Sequence, residues 1–204
     1  MTGFSRPLRL GILASRNGSS LRAIVAAIRS GELAAEARLV VSNNRTAPAL
    51  AFAAEAGVPA RCIPTQADPD AADAELASVL LAAGVELVVL SGYLRRLGPR
   101  TLAAYRDRIV NIHPGPLPTF GGAGMFGRRV HEAVLAAGVG RSAATIHLVD
   151  EEYDHGATLA TLEIPVEAGD TAEALEARVT AAEPRFFVET LKRLAAGEPL
   201  LPTG

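Results

Sequence analysis

Leu8-Arg9-Leu10-Gly11-Ile12-Leu13-Ala14 is a short apolar run. Ser15-Arg16-Asn17-Gly18-Ser19-Ser20 follows it, and then Leu21, Ile24, Val25 and Ile28 recur at helical spacing. The stretch reads as strand, loop and helix, and the same unit returns along the chain. Leu39 to Ser42 gives a second strand, and Thr46 with Pro48 marks the start of a helix that turns Leu50 and Ala53 inward. Arg61 to Pro64 is a short third strand. Asp68-Pro69 supplies an N-cap and a first-turn proline for a helix with Leu76, Val79 and Leu80 on one face. Glu86 to Leu90 is an apolar strand closing at Ser91-Gly92. Arg108-Ile109-Val110-Asn111-Ile112-His113 is another, ended by Pro114, which has no N–H to give to a ladder.

Strands that alternate with helices return in the same direction, so the fold class is α/β. The expected form is a Rossmann-like, mostly parallel central sheet with helices on both faces. Further on, His131 to Leu135 reads as helix, and Ala144 to Val149 and Leu159 to Val166 as strands. Asp170 with Glu173 fits a capping box opening a C-terminal helix through Leu175 and Val179, which Pro184 should kink or divide. With no repeat or linker in view, a single domain over residues 1–204 is expected.

Composition narrows the function classes. At 204 residues and 49% apolar content the chain can bury a large core. A net charge of −2 without a dense basic stripe argues against a nucleic-acid partner. The one cysteine, Cys62, excludes an internal disulfide and a multi-cysteine metal cluster, and it reads as a small core residue. No segment has the length and apolarity of a membrane span, and no signal-peptide pattern opens the chain, so a soluble cytoplasmic protein is expected. The four histidines are scattered, so no metal is expected.

Asn111 and His113 are the chemically informative pair. Strand side chains alternate between faces, so both should point one way, their Cα atoms about 6.5 to 7 Å apart. They lie at a strand's carboxyl end, where open parallel sheets bind ligands. A fixed amide can stabilise the oxyanion formed when an amine attacks an acyl carbon, and an imidazole can move the proton. Gly18, Ser19 and Ser20 place hydroxyls beside the free N–H groups of a helix start, which suits phosphate or simple capping. Within the acidic run from Asp150 to Gly156, Asp150, Glu151 and Glu152 read as a solvated turn. Asp154 stands apart, because Gly156 allows a tight loop that returns it toward His113, where a carboxylate would raise the imidazole pKa.

Taken in order, Asn17-Gly18-Ser19-Ser20, Ser91-Gly92-Tyr93-Leu94-Arg95, Asn111-Ile112-His113-Pro114 and Asp150 to Gly156 resemble the folate-dependent phosphoribosylglycinamide formyltransferases, over nearly the whole chain. The resemblance implies a nucleotide-binding half of about 1–105 and a folate and catalytic half of about 106–204. It implies formyl transfer from 10-formyltetrahydrofolate, as co-substrate, to the amine of glycinamide ribonucleotide in purine biosynthesis. Asn111, His113 and Asp154 would be catalytic; Gly18, Ser19 and Ser20 would hold the phosphate. Leu94, Arg95, Arg96 and Leu97, with Asn111, would line the folate site, and His147 would support the centre. The partners are then small molecules, and the chain a monomer or homodimer. Two features depart from the family pattern. Pro69 stands where many members place a folate-site arginine. The segment Gly121 to Gly127 is longer and richer in glycine than usual, and reads as a lid over the site or a surface excursion. A formyltetrahydrofolate deformylase, a sugar-amine N-formyltransferase or a non-catalytic binding module are the alternatives.

Overall fold

The computed structural model describes residues 6–198, so the expected 1–204 domain extends beyond the described chain at both ends. Its centre is a seven-stranded sheet in the order β3-β2-β1-β4-β5-β6-β7. β1 (Leu8–Leu13), β2 (Ala35–Ser42), β3 (Ala60–Cys62), β4 (Leu87–Leu90) and β5 (Ile109–His113) are parallel. β6 (Arg141–Leu148) pairs antiparallel with β5, and β7 (Thr158–Pro165) pairs antiparallel with β6 at the edge of the sheet. The expected α/β class is the observed one, and its strands run slightly longer or shorter than the apolar runs that marked them.

Period-two alternation sorts the core onto two faces. Leu10 and Ile12 of β1, Val40 of β2 and Val89 of β4 meet α1 (Ser19–Arg29), α2 (Pro48–Glu55) and α6 (Ala172–Ala195) on one side. Leu13, Val41, Val88 and Leu90 meet α3 (Pro69–Ala82) and the region of α4 (Pro99–Ala104) on the other. All four β4 residues are buried, as a central strand covered on both faces requires. α5 (Arg128–Ala136) packs with α6 beside β6 and β7, through Val134, Ala144, Ile164, Leu175 and Val179.

Two local expectations are corrected. The cap of α6 is Thr171, whose hydroxyl accepts from Ala174 N–H at 3.2 Å, whereas Asp170 accepts from Glu167 N–H and pairs with Arg178 at 2.8 Å. Both residues suit a helix start, and the Arg178 charge draws the carboxylate away. Pro184 does not divide α6, which runs unbroken across it. The proline removes one backbone donor, but the buried stripe Phe187, Val188 and Leu191 holds the following turns against the core. The Asp68 cap is as expected, accepting from Ala71 N–H at 2.9 Å. Among the described residues, no helix is long and apolar enough to cross a membrane.

Phe187 is fully buried where α6 meets the sheet, so Phe187→Ala should cost about 3–5 kcal/mol in urea unfolding. A loss below about 1 kcal/mol would contradict this packing.

Candidate active site

The site lies where β1 and β4 are neighbours but their crossovers leave in opposite directions, the crevice at which doubly wound sheets bind ligands. A cavity of about 580 Å³ opens there, walled by the loops after β1, β4 and β5, the segment after β6, and parts of α5 and α6.

β5 delivers Asn111 and His113 to this cavity on one face, and β6 pairs with it so that His147 lies opposite Asn111 and Thr145 opposite His113. The His147 Nδ1–H donates to Leu148 O at 2.7 Å, so Nε2 carries the lone pair that accepts from Asn111 Nδ2 at 3.1 Å. This bond fixes which way the Asn111 amide faces. His113 Nε2–H donates to Phe120 O at 2.8 Å, leaving Nδ1 toward Asp154 Oδ2 at 3.4 Å. The Thr145 hydroxyl donates to Gly115 O at 2.8 Å and pins the turn that follows the strand.

Asp154 reaches the centre through an uncommon backbone. Its φ of 56° is left-handed, a conformation that L-residues other than Asn and Asp rarely take. Gly156 is pressed against the chain it returns past: a Cβ there would sit 2.0 Å from Leu148 O, so only glycine fits. The carboxylate ends 3.4 Å from His113 Nδ1 and 3.4 Å from His147 Nε2, and accepts from Gly122 N–H at 3.0 Å. Burial works against its charge, but the two imidazoles and the Gly122 N–H outweigh that and hold its pKa below the usual carboxylate value.

The expectation that Asp154 raises the His113 pKa is corrected in its net effect. Burial is the larger influence and favours the neutral ring; Asp154 and the Phe120 carbonyl oppose it without reversing it. His113 therefore titrates below 6.5.

At the other end of the cavity, Gly18 caps α1 with φ 62° and ψ 57°, a left-handed turn that supplies no side-chain cap. Among the described residues the Ser19 and Ser20 N–H groups have no protein acceptor, and both residues line the cavity. Arg16 lines it beside them.

Of the expected folate residues, Leu94 and Arg95 face the cavity while Arg96 and Leu97 do not. Leu97 is buried in the core beneath β4, as its apolar character demands. Arg96 turns outward to the Glu151 carbonyl and over the Tyr153 ring. Pro69 is the first residue of α3 and lies outside the cavity. In the largely exposed Gly121 to Gly127 segment, Gly122, Gly124, Met125, Phe126 and Gly127 line the cavity. Asp150, Glu151 and Glu152 form the exposed turn expected of them. Among the described residues, no three His, Cys, Asp or Glu are grouped to hold a metal ion.

His131 and Glu183 also line the cavity, and nothing in the local sequence marked them. His131 is buried among helix residues and its pKa is lowered by that burial. Glu183 has its carboxyl pushed up to about 7 by loss of solvent. Helical periodicity places both on inward faces, but only the approach of α5 and α6 to β5 makes those faces a cavity wall.

The chain belongs to the formyl transferase family, whose model matches residues 8–191. Among its relatives is a chloroplastic phosphoribosylglycinamide formyltransferase of Vigna unguiculata, 37% identical over 93% of this chain and 61% of that protein, so the chain spans under two thirds of that relative. A glycinamide ribonucleotide transformylase from Symbiobacterium toebii superposes with a TM-score of 0.85 at 35% identity, covering 95% of this chain and 90% of that one. A phosphoribosylglycinamide formyltransferase from Brucella melitensis gives 0.85 at 36% identity, covering 94% and 97%.

Glu183 gives the site a pH signature. An unfolded Glu ionises near 4.5, whereas the folded group keeps its proton to about 7. Across that window the folded state binds the extra proton, so this residue's contribution to stability falls as pH rises. Glu183→Gln should therefore stabilise the chain more at about pH 8 than at about pH 5 in urea titrations. An equal effect at both would refute the assignment.

Proposed function

We propose that the chain transfers the formyl group of 10-formyltetrahydrofolate to the amine of 5-phosphoribosylglycinamide, as one formyltransferase domain. One observation carries the reading: Asn111, His113 and Asp154 meet in the same cavity as the open N–H groups of the Gly18 loop. The phosphate of the acceptor lies on Gly18, Ser19 and Ser20, where free N–H groups and the α1 dipole favour an anion, and Arg16 adds a positive charge. The folate enters past Leu94 and Arg95, with exposed Leu94, Phe126 and Tyr153 offering apolar surface at the mouth.

The acceptor nitrogen attacks the formyl carbon, and the carbonyl oxygen becomes an oxyanion. Asn111 Nδ2 donates one N–H to His147 and turns its second toward that oxygen. The proton lost by the attacking nitrogen goes to His113 Nδ1, the ring's basic atom, because Nε2–H is committed to Phe120 O. Asp154 holds the resulting imidazolium. Collapse breaks the bond from carbon to the folate N10, which takes the proton from His113. No covalent bond to the protein forms, and His147 acts by orienting Asn111.

His113→Ala should lower kcat/KM by about 10²- to 10⁴-fold with little loss of fold; near-normal turnover would refute the role. A depressed His113 pKa means that activity falls as pH drops through a value below 6.5. Asp154→Asn removes the carboxylate that favours the imidazolium, so the acid limb of its residual kcat/KM should move to lower pH. Incubation with 10-formyltetrahydrofolate, with and without glycinamide ribonucleotide, tests the acceptor. Formyl loss should require the amine, and loss without it would indicate a deformylase.

A further inference from the structure

The two substrate loops are tied to each other by buried hydroxyls that take no part in the chemistry above. Ser15 and Ser91 are 5% and 4% exposed. Leu21 is the third residue of α1, and its N–H would ordinarily be satisfied by the side chain of the N-cap. Gly18 has no side chain to do this. The Ser91 hydroxyl takes that place from the loop after β4, accepting from Leu21 N–H at 3.1 Å. In the opposite sense, the Ser15 hydroxyl, on the loop after β1, accepts from Leu94 N–H at 2.8 Å and donates to Asn43 Oδ1. The Ser15 N–H donates to Gly92 O at 3.2 Å. Each loop thus holds a backbone group of the other in place, and α1 is capped across the sheet instead of along its own chain.

We infer that Ser15 and Ser91 are positioning residues that couple the two substrate sites, so that filling the phosphate loop orders the loop at Leu94, and the reverse. The inference rests on the function proposed above. A phosphate on the Ser19 and Ser20 N–H groups holds the first turn of α1, and through Leu21 N–H holds Ser91. A folate against Leu94 and Arg95 holds the same bonds from the other side. The second ligand then meets a loop already ordered, which is positive coupling, and linkage makes the factor equal in both directions.

The test measures binding of glycinamide ribonucleotide to the full chain by calorimetry, with and without saturating tetrahydrofolate, and then the reverse. The wild type should show tightening of about fivefold or more in each direction. In Ser91→Ala the factor should fall toward one, and KM for both substrates should rise more than kcat falls; Ser91→Thr, which keeps the hydroxyl, should retain most of the coupling. Ser15→Ala should act in the same direction. If the alanine variants do not fold, amide hydrogen exchange on the wild type decides. Glycinamide ribonucleotide alone should slow exchange at Leu94, and tetrahydrofolate alone at Leu21. A wild type that transfers formyl but binds its ligands independently overturns the coupling and leaves the function standing, as does a Ser91→Ala variant with full coupling. A chain that binds neither ligand overturns both.

Discussion

The Asp154 carboxylate is the point on which the site depends, because among the described residues it faces both imidazoles and the glycine-rich segment. A charge so far from water persists only where opposite charges and donors surround it. Gly122 N–H donates to it, and the two imidazole rings, each 3.4 Å away, favour its charged form when they carry a proton. The cost is local: a left-handed aspartate and a glycine packed against Leu148 O. Strain of this kind persists where the surrounding structure over-determines it, and here the antiparallel pairing of β5 with β6 does so.

The two histidines hold their states by different means. His147 is committed by a backbone acceptor at one nitrogen and the Asn111 amide at the other, which turns it into an orienting group. His113 is committed at Nε2 alone, and its Nδ1 stays available beside a carboxylate. Burial keeps that ring neutral near pH 7, the state in which it can receive a proton. Two rings of the same kind, two β-ladder positions apart, thus differ in which nitrogen is committed through their backbone partners.

The rest of the site is built from loop ends held by the sheet. Because β1 and β4 are adjacent and parallel, the loops leaving them emerge side by side, and bonds through Ser15 and Ser91 join them. The segment after β5 then lines the cavity, held by Phe120 O, which accepts from His113, and by Gly122 N–H, which donates to the Asp154 carboxylate. Two hydrogen-bonded networks thus shape the cavity, one joining the loops after β1 and β4 and the other joining the strand end to the segment that follows it.

Much of this was legible in the chain. Apolar runs in β1, β4 and β5, helical spacing in α1 and α3, and proline and aspartate at helix starts are local signals, carried by a few consecutive residues. They determined the fold class, the shared face of Asn111 and His113, and the candidacy of Gly18 and Asp154. Other properties arise between segments far apart in sequence. The carbonyl that selects the His113 tautomer, the burial that lowers its pKa against the pull of Asp154, the inward siting of His131 and Glu183, and the core position of Leu97 are of this kind. So is the helix cap supplied by Ser91. Each depends on which groups lie within a few ångströms in space and on how far water is excluded, and the side-chain order along one strand carries neither.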